Sequence, residues 1–283
     1  MSRAMEDQAA TRRRPAVPIL LYHAVTETPG THIAPFAVPP SAFAQQLDLL
    51  LEAGYRCVTF GELVAAEVAG RPLGDPDDGR KTAVITFDDG FADFATAALP
   101  ALRERSLVST LYVTTGWLEG GRDRRPGPSD RMLDFAQLPG LLAEGVELGA
   151  HSHSHLQMDT LGAAQLRDEL VRPKELLEDV LDRPVTTFAY PHGYNGPRVR
   201  RATRQAGYEN ACGVRNVLHC AGEDVFAVSR LMLRRTTTLD ELSRWLEDVE
   251  CRPAGRESWA TRGWRAYRRA RAVARRRPGS VYA

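Results

Sequence analysis

The sequence predicts an α/β fold in which parallel strands alternate with helices. Short apolar runs that fit buried strands are followed repeatedly by amphipathic segments, which is the pattern of strand–helix units. The chain has 283 residues, of which 43% are hydrophobic and 26% charged, so it can bury a sizeable core. The alternation by itself leaves open whether the sheet is open or closed into a barrel.

The predicted elements follow from apolar periodicity and turn residues. Ser41 is expected to cap the first helix, which presents Phe43, Leu47 and Leu50 on one face and ends at Gly54. The predicted strands are 18–22, 55–60, 82–87, 108–113, 146–150, 185–189, 208–213 and 225–233. The predicted helices are 41–54, 61–69, 91–105, 135–143, 163–181, 197–206 and 239–249.

The chain divides into three parts. Residues 1–14 are polar and expected to be disordered, and residues 15–250 form one domain. Residues 251–283 form a basic tail, with ten arginines between Arg252 and Arg277. This tail is either a solvated segment or a basic helix on an anionic membrane surface. The formal net charge of +1 gives no reason to expect nucleic acid as a partner.

The cysteines and the N-terminus bear on the cellular compartment. The four cysteines form no C-x-x-C pair and no disulfide framework, so reduced thiols are expected. The apolar run from Val17 to Tyr22 is too short for a signal segment or a membrane span. We therefore expect a cytoplasmic protein, with peripheral contact at the inner membrane face if the tail binds lipid.

Polar clusters follow four of the predicted strands. They are His23, Asp88-Asp89-Gly90, the run from His151 to His155, and Tyr190-Pro191-His192-Gly193. In parallel α/β folds the chemistry lies on loops at the carboxyl ends of the strands. These clusters are thus expected to meet on one rim, although they are far apart in the sequence.

Asp89, His151 and His155 form a candidate set of metal ligands. Two imidazoles and one carboxylate are a common catalytic zinc shell, which leaves a position open for water. The same donors accept cobalt, nickel or iron, so zinc is only the first choice. Alternatively, Asp-Asp-Gly is a simple turn after a strand, and the histidine cluster is a solvated loop.

Taken together, these motifs resemble carbohydrate esterase family 4, the polysaccharide deacetylases. The resemblance rests on Thr86-Phe87-Asp88-Asp89-Gly90, on the H-[ST]-x-x-H pattern of 151–155, and on Tyr190-Pro191. It covers roughly residues 17–250 and implies a distorted (β/α)7-type barrel. It also implies that a divalent metal is held by Asp89, His151 and His155, and that the substrate is an N-acetylated sugar.

A narrower resemblance is to the poly-N-acetylglucosamine deacetylases, which carry a Tyr-His motif near the N-terminus. Here that motif is Tyr22-His23, followed by a helix of the expected type from Ser41. By this resemblance His23 is the general acid, and Leu218-His219 is the rival candidate. Asp88 would activate water, and the backbone N–H of Tyr190, beside Pro191, would hold the oxyanion.

One position departs from the family pattern. The third motif usually carries an arginine three residues before the tyrosine, where this chain has Thr187. We expect Arg230, after the last long strand, to supply the positive partner of the base instead. His153 and His192 are either substrate contacts or solvated loop residues.

Three functions are compatible with this pattern. The first is a metal-dependent N-deacetylase that acts on an N-acetylhexosamine-containing glycan, glycolipid or glycoside. The second is a hydrolase of the same fold that acts on a non-sugar amide or a cyclic imide. The third is a non-catalytic glycan-binding protein, although the intact Asp88, Asp89, His151 and His155 disfavour it.

Overall fold

A computed structural model describes residues 16–71, 73, 79–247, 263–264, 267–268 and 270–271. The expected disordered segment 1–14 lies outside the described residues, as does most of the tail 251–283. None of the helices within the described part is both long and apolar enough to cross a membrane.

The structure confirms a parallel sheet with helices packed around it. The strands are β1 (Ile19–Tyr22), β2 (Ala24–Val25), β3 (Ala37–Val38), β4 (Tyr55–Val58), β5 (Lys81–Phe87), β6 (Ser109–Val113), β7 (Val146–Ala150), β8 (Thr187–Ala189), β9 (Asn210–Cys212) and β10 (Leu231–Met232). The helices are α1 (Pro40–Glu52), α2 (Phe60–Val68), α3 (Leu99–Glu104), α4 (Leu138–Ala143), α5 (Ala163–Leu181), α6 (Pro197–Gln205) and α7 (Leu239–Glu247).

The main sheet has the strand order β10-β1-β5-β6-β7-β8-β9, with β4 paired to the first half of β5. Segment 228–232 connects strands β9 and β1 of this sheet, because Val228 bridges to Cys212 of β9 and Leu231 pairs with Leu20 of β1. The predicted strand 225–233 is regular only at Leu231–Met232. This half-barrel of parallel strands agrees with the expected (β/α)7-type fold.

Helix α1 packs its predicted apolar face into the core, since Phe43, Leu47 and Leu50 are fully buried. The expected cap at Ser41 is wrong, because α1 begins at Pro40 and has no side-chain cap. Proline needs no hydrogen-bond acceptor at the first helical position, so it can start the helix there.

The predicted helix 91–105 is interrupted. A π-helical turn spans Phe94–Ala98, and the α-helix α3 starts only at Leu99. Pro100 lacks the N–H that a continuous α-helix would use at this position, which accounts for the change in hydrogen-bond spacing.

The expectation that all cysteines are reduced is wrong for Cys220, which is disulfide-bonded. Cys57 and Cys212 carry free thiols, and burial raises the pKa of each to about 12.

Candidate active site

The four polar clusters meet at the carboxyl ends of the strands. His23 follows β1, Asp88 and Asp89 follow β5, and His151 follows β7. Together with His155 they line a cavity of about 170 Å³, whose apolar walls include Leu21, Ile33, Phe36 and Met232. Because all these strands are parallel members of one sheet, residues more than a hundred positions apart come to one rim.

Asp89, His151 and His155 form the only group of potential metal ligands found among the described residues. One donor atom from each lies within 4.8 Å of the other two. Oδ1 of Asp89 is 3.5 Å from Nε2 of His151 and 3.3 Å from Nε2 of His155. All three residues are buried, and one carboxylate with two imidazoles suits a catalytic zinc or a similar divalent cation.

The Asp89 carboxylate shows that the group fits a cation. Its Oδ1 is buried and makes no hydrogen bond to any described residue. Burial raises the pKa of Asp89 above its ordinary value, against the smaller opposing effects of His23 and His151. A buried carboxylate oxygen without a partner is costly unless a cation balances it, so the donor set and its surroundings match a metal site.

Contacts around the two imidazoles fix their orientation. Nδ1 of His151 lies 2.8 Å from the carbonyl oxygen of Ala189, an arrangement that leaves Nε2 directed at Asp89. The ring of His155 lies between those of Trp117 and His192, at centroid distances of 4.8 Å and 4.7 Å. Trp117 is fully buried, so it supports a ligand here and does not present a surface to a sugar.

Asp88 lies beside the metal group in a bidentate ion pair with Arg230. Nη1 and Nη2 of Arg230 each donate to one carboxylate oxygen of Asp88 at 2.7 Å. Burial alone would raise the pKa of Asp88, but the charges of Arg230 and His151 outweigh it and lower that pKa to about 2. Asp88 is therefore ionised at neutral pH, and its positive partner is Arg230, whereas position 187 holds a threonine.

The backbone is strained where the site is built. Asp89, Ser152, His155 and His192 have positive φ angles of 78°, 64°, 54° and 57°, which residues other than glycine rarely adopt. Each such residue costs on the order of 1–3 kcal/mol and persists only where the surrounding contacts enforce it. These are four of the seven non-glycine residues with positive φ in the described part, so the strain is enriched in the loops around this cavity.

The expected oxyanion role of the Tyr190 N–H is wrong. That N–H donates to the carbonyl oxygen of Cys212 at 3.0 Å, so it is already used in strand pairing. The Tyr190 hydroxyl donates to the carbonyl of Phe226. Pro191 has no N–H, so the next backbone donor at this strand end belongs to His192, which lines the cavity.

The two candidates for the general acid lie in different places. His23 lines the cavity, and its Nδ1 is buried without a described partner. His219 pairs with Val17, which precedes β1, and so lies at the opposite end of the sheet. Its two ring nitrogens contact Glu67 and Glu223 at 3.0 Å and 3.3 Å. Of the two, only His23 can reach the metal group.

Several supporting residues were not identified from the sequence. The Glu169 carboxylate accepts the backbone N–H groups of His153 and Ser154, at 3.0 Å and 2.8 Å, and so shapes the histidine loop. His153 is buried and bonded to Thr115, so neither of its expected roles applies. His192 lines the cavity, and its expected role as a substrate contact stays a prediction. Glu169 has no local signal because it resembles any charged residue in an amphipathic helix.

Comparison with known proteins agrees with this geometry. Residues 75–211 match the family model of polysaccharide deacetylase. A Bacillus subtilis protein, YxkH, named provisionally as a polysaccharide deacetylase, is 25% identical over 70% of this chain and 64% of its own length. The poly-β-1,6-N-acetyl-D-glucosamine N-deacetylase of Escherichia coli is 23% identical over 76% of this chain. The chain spans only 36% of that protein.

The fold also matches a solved structure. The Streptococcus pyogenes deacetylase PplD, determined in complex with acetate, superimposes with a TM-score of 0.71 at 23% identity. The match covers 82% of this chain and 98% of PplD. The ordered motifs and the sheet topology agree with the family match, which assigns residues 75–211 to a polysaccharide deacetylase domain.

Proposed function

We propose that this chain is a metal-dependent N-deacetylase that releases acetate from N-acetylhexosamine units of a glycan. The observation that carries the proposal is the convergence of Asp89, His151 and His155 beside the Asp88–Arg230 pair in one cavity. The name of the E. coli relative and the acetate bound to PplD support N-acetylglucosamine as the sugar and acetate as the product.

The bound metal would be a Lewis acid toward the acetyl carbonyl and would acidify the attacking water. Asp88 accepts the proton from that water. Its low pKa keeps it ionised but makes it a weak base, so it works only on water that is already acidified. Arg230 holds both carboxylate oxygens and therefore fixes the direction from which Asp88 accepts the proton.

His192 and His23 act on the other side of the reacting amide. The backbone N–H of His192 donates to the carbonyl oxygen as negative charge develops there. His23, in its protonated form, gives its proton to the leaving nitrogen as the C–N bond breaks, because an unprotonated amide nitrogen is a very poor leaving group. Burial lowers the pKa of His23, while the Asp89 and Asp88 carboxylates oppose that effect.

The test is acetate release from β-1,6-linked N-acetylglucosamine oligomers. We expect His23→Ala and Asp88→Asn each to lower kcat by about 10²–10⁴-fold, as for loss of a positioned acid or base. His219→Gln is the matched control, since it alters a buried histidine outside the site. Activity should disappear after chelation and return with a divalent metal.

Other outcomes would identify the competing functions. Hydrolysis of a panel of non-sugar amides or cyclic imides, with no acetate released from the sugar oligomers, would favour the second hydrolase class. Glycan binding without turnover, unchanged by Asp88→Asn, would indicate a binding protein.

Zinc is our first choice of metal, and elemental analysis of the purified protein checks it. The cytoplasmic location stays a prediction. The disulfide at Cys220 counts against it, because disulfides persist mainly in oxidising compartments. Cell fractionation distinguishes the two compartments.

A further inference from the structure

Two aromatic side chains of the basic C-terminal segment are exposed and stacked on each other. Trp264 and Tyr267 are 52% and 53% exposed, and they are the aromatic residues among the large exposed hydrophobic side chains of the described part. Their ring centroids lie 5.4 Å apart with an interplanar angle of 26°. An exposed pair of this kind presents a flat apolar surface to a ligand.

Arg268 fixes this aromatic pair to the rim of the site. Its side chain is buried, and its Nη2 and Nη1 atoms lie 3.0 Å and 3.3 Å from the Asp159 carboxylate oxygens. Its guanidinium also lies over the ring of Tyr194, 3.4 Å from the centroid. Tyr267 is the residue immediately before Arg268, so the aromatic pair lies next to this buried guanidinium.

The two partners of Arg268 lie on loops that also carry residues of the cavity. Asp159 lies four residues after the metal-ligand candidate His155. The Tyr194 ring stacks on His192 at 5.7 Å, and His192 in turn contacts His155 at 4.7 Å. The aromatic pair therefore stands beside the same two loops that form this wall of the cavity.

The size of the cavity indicates where the rest of a glycan must lie. Pockets that enclose a whole small ligand usually measure about 300–1,000 Å³. The cavity at Asp89 measures about 170 Å³, so it admits the reacting acetamido group and part of one sugar ring. Neighbouring sugar units of a polymer must lie outside it, along the rim.

We propose that Trp264 and Tyr267 form an outer subsite that stacks on the pyranose ring of a sugar unit adjacent to the one being deacetylated. A pyranose has an apolar face of C–H groups that an aromatic ring can cover while the hydroxyl groups stay in water. The inference rests on the proposed function, because it takes the substrate to be a glycan longer than one sugar.

The experiment compares substrate lengths in the full-length enzyme. For Trp264→Ala with Tyr267→Ala, we expect KM for an N-acetylglucosamine pentamer to rise about tenfold with kcat unchanged, as loss of two ring contacts would cause. KM for the single sugar should not change. Trp264→Phe with Tyr267→Phe should restore most of the pentamer KM, and Val68→Ala, a 73% exposed position on α2, is the surface control.

Several results would overturn the subsite. They are an unchanged KM for the pentamer, an equal rise for the monomer, or a rise that the Phe variants do not reverse. If the wild type binds anionic phosphatidylglycerol vesicles and the Ala variant does not, with pentamer KM unchanged, the surface contacts membrane instead.

A failure of the proposed function can be distinguished from a failure of the proposed subsite. If the wild type releases no acetate, calorimetric binding of the pentamer to the full chain carrying Asp88→Asn still tests Trp264 and Tyr267. Equal binding with and without the two rings would end the inference.

Discussion

Two buried histidine–carboxylate clusters lie at opposite ends of the barrel and behave differently. At the amino end, both ring nitrogens of His219 contact carboxylates, from Glu67 and Glu223. At the carboxyl end, Oδ1 of Asp89 faces two imidazoles at 3.3–3.5 Å and has no hydrogen bond within the described residues. Both imidazole nitrogens have carboxylate partners in the first cluster, whereas the aspartate oxygen that faces two imidazoles has no hydrogen bond in the second.

This difference separates a structural cluster from a functional one. The contacts of His219 with Glu223 and Glu67 outweigh burial and raise its pKa to about 9, so the two carboxylates stabilise the charged imidazolium. At the rim, burial raises the pKa of Asp89, because its neighbours do not fully compensate the charge. A buried charge that the protein leaves uncompensated is a place for a ligand. The following predictions test this distinction.

The largest effect is expected at the cluster of Asp89, His151 and His155. Asp89→Asn should abolish metal binding. We expect it to lower kcat by more than the roughly 10–100-fold that is lost when a residue outside the ligand shell is changed. The metal-free variant should be at least as stable as the metal-free wild type, because a buried charge without a partner has been removed. Elemental analysis, kcat and thermal unfolding after chelation measure this. Retained metal would contradict the assignment of Asp89.

Breaking the Asp88–Arg230 pair should be nearly as severe. Arg230→Met should lower the free energy of unfolding by about 3–5 kcal/mol, since it leaves a buried carboxylate unpaired. The acid limb of the pH–rate profile should move to higher pH, because the pKa of Asp88 rises when the guanidinium is lost. Wild-type Asp88 stabilises the fold above pH about 3.8, and that contribution falls as the pH decreases towards 2.

Denaturant unfolding and the profile of kcat/KM against pH measure both effects. Arg230→Lys keeps the charge but not the two parallel bonds, so it should fall between wild type and Arg230→Met. A stability loss that persists undiminished when Arg230→Met is combined with Asp88→Asn would exclude the ion pair as its cause.

A smaller effect, on stability and not on activity, is expected at the cluster of His219, Glu67 and Glu223. His219→Gln should lower the free energy of unfolding by about 1–3 kcal/mol, because two partly buried carboxylates lose a charged donor, while kcat stays the same. The pKa of His219 is raised from 6.5 to about 9 in the folded state. Its stabilising effect is therefore complete below pH 6.5 and is lost as the pH rises through 9.

Denaturant unfolding of wild type and variant between pH 6 and pH 10 shows whether their difference narrows as expected. A pH-independent difference would mean that packing, not the ion network, explains the role of His219. A loss of kcat would remove the distinction between the two clusters.

The smallest effect is expected at Arg268, which forms an ion pair with Asp159 at the rim. Arg268→Met should lower local stability by about 1–2 kcal/mol, from the lost bonds to Asp159 and the lost contact with Tyr194. Amide hydrogen exchange should accelerate in residues 151–162 and 190–196 but not around His219. Uniform acceleration across the chain would indicate global destabilisation and no specific attachment at the rim.

The sequence by itself determined the parallel fold and the residues most relevant to chemistry. The alternation of apolar strands and helices predicted the sheet, because burial on both faces leaves a local pattern of residues. The motifs around Asp89 and His151 predicted a shared rim, since parallel strands end on the same side. These inferences need only the direction and order of the strands.

Tertiary structure alone decided which groups are partners across long distances. Arg230 meets Asp88 across 142 positions, His219 lies at the wrong end of the barrel for catalysis, and the Tyr190 N–H is taken by Cys212. Arg268 reaches Asp159 from the far end of the chain. Such contacts depend on strand register and loop path, which many distant residues set together, so no local pattern encodes them.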